Sequence, residues 1–101
     1  MSYRYTLHEE AQTDYEDALK WYADRSLRAA ENFVRAVDHA LQLICEHPTR
    51  WRNEYKHYYE LGIKKYPYTI IYIIEQNQQL AIITSIYHHK RNPKKKYRKI
   101  K

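Results

Sequence analysis

Two short runs hold side chains able to do chemistry: Lys64 and Lys65, then His88, His89, Lys90 and Arg91. Histidine titrates near neutrality and moves protons as acid or base; lysine and arginine stabilise charge building on a phosphate. Brought together, these runs are equipped to cleave RNA. His88 or His89 would be acid or base, Lys64 and Lys65 would lie near the phosphate, and Arg91 would stabilise charge. The same residues would equally hold phosphates or an acidic peptide with no reaction. A lone histidine at a strand end is more often structural than catalytic.

Other chemistries fail on residue type. His8-Glu9-Glu10-Ala11-Gln12 begins like a zinc-protease helix, but Gln12 stands where the second histidine belongs, so no metal pair forms. His88 and His89 are adjacent on a strand and point to opposite faces, a poor chelate. No metal site and no cofactor is expected. One glycine, Gly62, cannot make a phosphate loop, and no serine sits in a nucleophile elbow. The single cysteine, Cys45, excludes an internal disulfide and reads as a small buried residue.

The elements that must position the basic runs follow from periodicity. Tyr3 to Leu7 alternates and reads as an edge strand. Ala11, Tyr15, Ala18, Leu19 and Tyr22 make one helical stripe, with Glu9 and Glu10 in a first turn that favours negative charge. A second stripe, Phe33, Val37, Ala40, Leu41 and Ile44, starts after a cap at or near Ser26 and stops before Pro48. So short a join makes the helices an antiparallel pair. Three strands are expected next: Tyr58 to Lys65, with Gly62 a bulge or close-approach point; Tyr68 to Glu75, apolar on both faces and therefore central; and Leu80 to Tyr87. In the last, Leu80, Ile82, Thr84 and Ile86 alternate against Ala81, Ile83, Ser85 and Tyr87. Gln76 to Gln79 is the hairpin turn, whereas Thr49 to Asn53 has no readable pattern. The expected fold is α+β: a two-layer βααβββ domain whose helical hairpin covers one face of a small, mainly antiparallel sheet. In such a meander the first and third strands run the same way, which gathers Lys64, Lys65 and His88 to Arg91 at one pole.

Composition bounds the partners. The chain has 101 residues, enough for one domain, expected over 1–93 with a basic tail at 94–101. Residues 1–54 carry 7 basic and 10 acidic side chains, a net of −3; residues 55–101 carry 11 and 2, a net of +9. Eight of those basic residues lie between Lys90 and Lys101. This asymmetry points to nucleic acid or an acidic protein segment. No apolar run approaches the length of a membrane span, and the N-terminus has no secretory apolar region, so a cytoplasmic protein without membrane contact is expected. Twelve tyrosines suit strand surfaces, interfaces or base stacking.

The run Lys64-Lys65-Tyr66-Pro67-Tyr68-Thr69-Ile70-Ile71-Tyr72-Ile73-Ile74, then Ile82 to Tyr87, then His88-His89-Lys90-Arg91-Asn92-Pro93, resembles toxins of the RelE/ParE superfamily. In that group an aromatic-Pro-Tyr opens the central strand and a His-x-x-Arg-x-Pro closes the last. The likeness covers about residues 3–93 and is closer to the ParE-like branch. It implies a type II toxin neutralised by a small antitoxin, whose often acidic segment suits the basic second half. ParE-like members inhibit DNA gyrase by contact. RelE-like members cut mRNA in the ribosome without metal, and the strand Tyr59-Glu60-Leu61-Gly62-Ile63 lacks the arginine that such nucleases often place there.

Three functions stand at this point: gyrase binding, ribosome-dependent mRNA cleavage by His88, His89, Lys64, Lys65 and Arg91, or a non-toxic basic nucleic-acid-binding module. A small-molecule substrate is not expected. The contact residues expected for binding are Tyr66, Tyr68, Tyr87 and Lys90, joined by Lys94, Lys95, Lys96 and Arg98 of the tail.

Overall fold

The computed structural model describes residues 3–91 and residue 97. The elements run β1 (Arg4–Leu7), α1 (Glu9–Ala23), α2 (Leu27–Glu46), β2 (Arg52–Tyr55), β3 (Tyr58–Gly62), β4 (Tyr68–Glu75) and β5 (Leu80–His88), with a 3₁₀ turn at Gln76–Gln78 between the last two strands. The sheet order is β1-β5-β4-β3-β2; β1 is parallel to β5 and the other neighbours are antiparallel. This is the expected α+β fold with one additional strand, β2.

The helical hairpin forms as its stripes require. Ser26 is the N-cap of α2, its hydroxyl accepting from the Ala29 N–H at 3.0 Å. Helix α2 ends at Glu46, one residue before the position that Pro48 excludes from helix. Both helices cover one sheet face, where Ala11, Phe33, Val37 and Ile44 bury against Ile70, Tyr72 and Ile83. Tyr72 is fully buried, and its hydroxyl donates to the Pro48 carbonyl at 2.6 Å, tying the end of α2 to the central strand. Burial pushes the Tyr72 phenol well above its usual range.

Four local expectations are corrected. Strand β2 arises from Arg52-Asn53-Glu54-Tyr55, which lacks apolar alternation. It is an outer strand paired on one side with β3, and the Asn53 side-chain amide donates to the Lys56 carbonyl at 3.2 Å and to the Tyr58 carbonyl at 2.7 Å. Gly62 is neither bulge nor close approach: it pairs in register with Thr69, and a Cβ there would meet nothing within 4 Å. Strand β3 stops at Gly62, so Lys64 and Lys65 lie in the turn before β4, with Lys65 in the left-handed region at φ 72°.

The fourth correction concerns β5. Its pairing runs Ile71 to Ser85 and then Tyr72 to Ile83, leaving Thr84 as an extra residue. A bulge resets the two-residue period, so Ile83 and Ile86 both face the helices although three positions separate them. Tyr87 consequently faces the other way, with Tyr58 and Ile71. The uninterrupted alternation read from the sequence holds only up to the bulge.

Candidate functional site

Strand β1 pairs with β5 only as far as Leu7 opposite Ile83, and the His8 N–H then donates to the Ile83 carbonyl at 2.8 Å before the chain turns into α1. Beyond that point β5 has no neighbouring strand on this side, and Asp14 from the second turn of α1 supplies the acceptors instead. Its Oδ2 takes the Ile86 N–H at 3.0 Å and the Ser85 hydroxyl at 3.1 Å; its Oδ1 takes Nη1 of Arg91 at 3.1 Å. Asp14 is 6% exposed, and these donors compensate the cost of burying a carboxylate.

Arg91 is thereby fixed. Besides Asp14, its N–H donates to the His88 carbonyl at 2.9 Å and its carbonyl accepts from the Tyr87 hydroxyl at 2.6 Å. The two histidines lie on opposite faces, as their adjacency requires. His88 sits on the helix side, edge-on to Tyr68 with ring centroids 4.9 Å apart, and its Nδ1 accepts the Lys90 N–H at 3.0 Å. Burial, helped by the charges of His89, Lys90 and Arg91, lowers the His88 pKa below its usual 6.5. The neutral ring therefore carries its proton on Nε2. His89 lies over the other face, with Nε2 2.9 Å from the Thr69 hydroxyl and its N–H on the Pro67 carbonyl.

The register brings the expected pole together: Tyr68 opposite His88, Gly62 opposite Thr69, and the exposed Lys64 and Lys65 in the adjoining turn. Tyr66 packs inward, its ring 5.5 Å from that of Tyr22 and 5.3 Å from that of Phe33. Tyr68 is buried against Phe33 and His88, and Tyr87 is buried on the far face. Lys90 is exposed. Lys94, Lys95, Lys96 and Arg98 lie outside the described residues. Among the described residues no group of three His, Cys, Asp or Glu side chains converges, and no helix is long and apolar enough to cross a membrane.

One cavity opens at this pole. Trp21, Tyr22, Pro67, Tyr68, His88 and Lys90 line a cleft of about 320 Å³ between the C-terminal half of α1 and the ends of β4 and β5. Trp21 is 49% exposed, and the Arg25 guanidinium stacks on its ring, 3.2 Å from the centroid. Arg25 also donates to the Trp21 carbonyl at 3.1 Å, which holds the pair in place. An exposed tryptophan, the half-buried Tyr22, the buried Tyr68, an imidazole N–H and a lysine give the cleft a wall that is apolar with polar edges, chemistry that suits a side chain with an apolar body and a polar edge.

Sequence reasoning missed Asp14, Trp21 and Arg25. Asp14 carried a signal: it lies three residues after Ala11 and four before Ala18, inside the buried stripe, where a carboxylate needs a partner. Trp21 lies off the stripe and carried none.

A family description, the ParE toxin of the type II toxin–antitoxin system parDE, matches residues 5–93. The chain belongs to the ParE toxin family. Among solved structures it is similar to a chain of the chromosomal ParDE toxin–antitoxin system from P. aeruginosa, with a TM-score of 0.64, 15% sequence identity, and coverage of 86% of this chain and 96% of that one. At that identity the likeness is one of fold. No curated protein matches the chain. This ParE-family toxin thus keeps the helical hairpin on a sheet, with the cleft formed by its own residues.

Proposed function

We propose that this ParE-family toxin arrests growth by binding DNA gyrase through the cleft at the sheet pole, and that a cognate antitoxin neutralises it. The observation that carries this reading is the state of the polar side chains there. Arg91 is ion-paired with Asp14, His88 Nδ1 is occupied by the Lys90 N–H, and His89 Nε2 is held by Thr69. Each is locked to a neighbour, as suits a rigid docking surface. Trp21, Tyr22 and Arg25 are the residue types that dominate protein–protein hot spots. The net positive charge of residues 55–101 suits an acidic antitoxin segment.

Ribosome-dependent mRNA cleavage has one observation in its favour. Lys64 and Lys65 are exposed in the turn beside His88, within the pole where a phosphate would be held, and the neutral His88 ring, with Nδ1 taken by the Lys90 N–H, presents an Nε2 N–H as a donor to it.

The decisive test is induction of the toxin alone in a bacterial host, with pulse-labelling of DNA and protein synthesis in parallel. Gyrase binding predicts that DNA synthesis stops first and that purified toxin inhibits supercoiling. Translation stopping first, with cut messages, selects the nuclease and overturns the gyrase reading.

A further inference from the structure

The polar groups left over on the residues that line the cleft between α1 and the ends of β4 and β5 are nearly all donors. The acceptors there are taken. The Pro67 carbonyl accepts the His89 N–H at 3.0 Å, the Trp21 carbonyl accepts Nη1 of Arg25 at 3.1 Å, and Nδ1 of His88 accepts the Lys90 N–H at 3.0 Å. The Trp21 indole N–H, the His88 Nε2–H and the Lys90 ammonium can only donate, and none has a partner among the described residues. Tyr68 is 9% exposed, yet its hydroxyl makes no hydrogen bond among the described residues. That hydroxyl still reaches solvent, since no unsatisfied side-chain oxygen is sealed inside the protein.

We propose that this cleft is a carboxylate receptor, which takes an acidic side chain of the docked partner protein onto the donors of Trp21, Tyr68, His88 and Lys90. The inference rests on the reading of the cleft as the docking surface and names what the partner must bring to it. An ionised carboxylate only accepts, at about four lone-pair positions, so it satisfies a set of donors as no amide or ammonium can. A glutamate also brings two methylenes to the Trp21, Tyr22 and Tyr68 rings. A phosphate is commonly held by arginine forks or by nests of backbone N–H groups. Here Arg91 is committed to Asp14, and the Arg25 guanidinium lies on the Trp21 ring. One ammonium among neutral donors matches a single negative charge.

The surrounding charges agree with an anion. Lys90 is on the lining, Arg25 sits 3.2 Å from the Trp21 ring centroid, and Lys64 and Lys65 are exposed in the turn that leads to Pro67. Two carboxylates are near as well, since Asp14 and Asp17 both act on the Tyr68 phenol. Asp14 is buried, with its oxygens on Ser85, Ile86 and Arg91. Asp17 is exposed on α1, one turn ahead of Trp21, and is not part of the lining. Its charge opposes an incoming carboxylate, so its removal should tighten binding.

The test titrates the full-length toxin with the peptides acetyl-Leu-Glu-Leu-amide and acetyl-Leu-Gln-Leu-amide and with inorganic phosphate. The NMR signals of the Trp21 indole N–H and the His88 ring are followed. The Trp51 indole N–H, which donates to the Leu43 carbonyl at 3.3 Å, is the internal control. The glutamate peptide should move the Trp21 and His88 signals saturably and bind about tenfold tighter than the glutamine peptide. Lys90→Met and Tyr68→Phe should each weaken it about tenfold, and Asp17→Asn should strengthen it. Equal binding of the two peptides, or no shift at Trp21 and His88, would overturn the proposal, and neither result needs a variant to fold. Phosphate binding tighter than the glutamate peptide would overturn it in favour of a nucleic-acid phosphate. Gyrase capture separates the receptor from the reading it rests on. Toxin that binds the glutamate peptide but captures no gyrase keeps the receptor and removes gyrase as the partner. Gyrase captured equally well by the wild type and by Lys90→Met keeps the partner and removes the carboxylate.

Discussion

Nη1 of Arg91 lies 3.1 Å from Oδ1 of Asp14, so the arginine just beyond the last strand is anchored to the first helix, 77 positions earlier in the chain. The same carboxylate closes the edge of β5 that β1 leaves open, through Ser85 and Ile86. One buried charge therefore sets both the strand edge and the arginine.

Replacing Asp14 tests that double role. Asp14→Ala leaves Ile86 N–H and the Ser85 hydroxyl without this acceptor and Arg91 without its carboxylate partner. The expected loss is about 3 kcal/mol, the scale for removing one partner of a buried ion pair. Urea denaturation would read it as a lower midpoint with an unchanged slope. Arg91→Ala should cost less, because Asp14 keeps two donors and Arg91 is 30% exposed. A loss below about 1 kcal/mol for Asp14→Ala would show that the β5 edge holds without it.

Much of this architecture was legible and part was not, for physical reasons. The stripes of α1 and α2 stand out because a helix buries every third or fourth residue, and β4 because a central strand buries both faces. Strand β2 was hidden because an outer strand needs little apolar surface; Asn53 and the Arg52–Glu60 pair hold it. The bulge at Thr84 was hidden because one inserted residue leaves the composition unchanged while it reverses the face of all that follows. The basic pole was readable, since strand direction alone assembles it. The cleft was not, because Trp21 meets Tyr68 and His88 only once α1 is docked on the sheet.

His88 should make stability depend on mild acid. Its pKa is lowered in the folded protein, chiefly by burial and then by His89, Lys90 and Arg91. The unfolded chain then binds the proton more readily, so this contribution is fully present above pH 6.5 and is lost as pH falls through the folded pKa. Melting temperature measured from pH 7.5 to 5 should fall more steeply in the wild type than in His88→Asn. An NMR titration placing the ring midpoint at or above 6.5 would contradict this.

Backbone strain gives an opposite-signed prediction at the β4–β5 turn. Gln79 closes the 3₁₀ turn in the left-handed region, at φ 50° and ψ 52°. A residue with a Cβ costs about 1–2 kcal/mol there, while glycine adds about 0.5–1 kcal/mol of unfolded-state entropy. Gln79→Gly should therefore be stabilising, by about 0.5 kcal/mol, and Gln79→Val destabilising by more than 1 kcal/mol, both on the order set by those terms. Thermal denaturation of the pair checks the sign; a stabilised valine variant would rule out the strain.

Trp21 separates binding from folding. Half of its surface is already in water, so Trp21→Ala should cost little stability, about 1 kcal/mol from the lost Tyr22 and Arg25 contacts. As the exposed wall of the cleft it should behave very differently towards a partner. Hot-spot tryptophans are worth about 2 kcal/mol or more on truncation, roughly a thirtyfold loss of affinity. Growth arrest on induction should be relieved while the protein accumulates at its normal level, and gyrase capture in vitro should weaken in proportion. Phe33→Ala is the control with the reverse profile. Phe33 is fully buried among Tyr15, Tyr22, Tyr66 and Tyr68, and its removal should cost about 3–5 kcal/mol and deplete the protein itself. If Trp21→Ala arrests growth as strongly as the wild type, the docking surface lies elsewhere, and Lys64 and Lys65 on the adjoining turn become the next residues to replace.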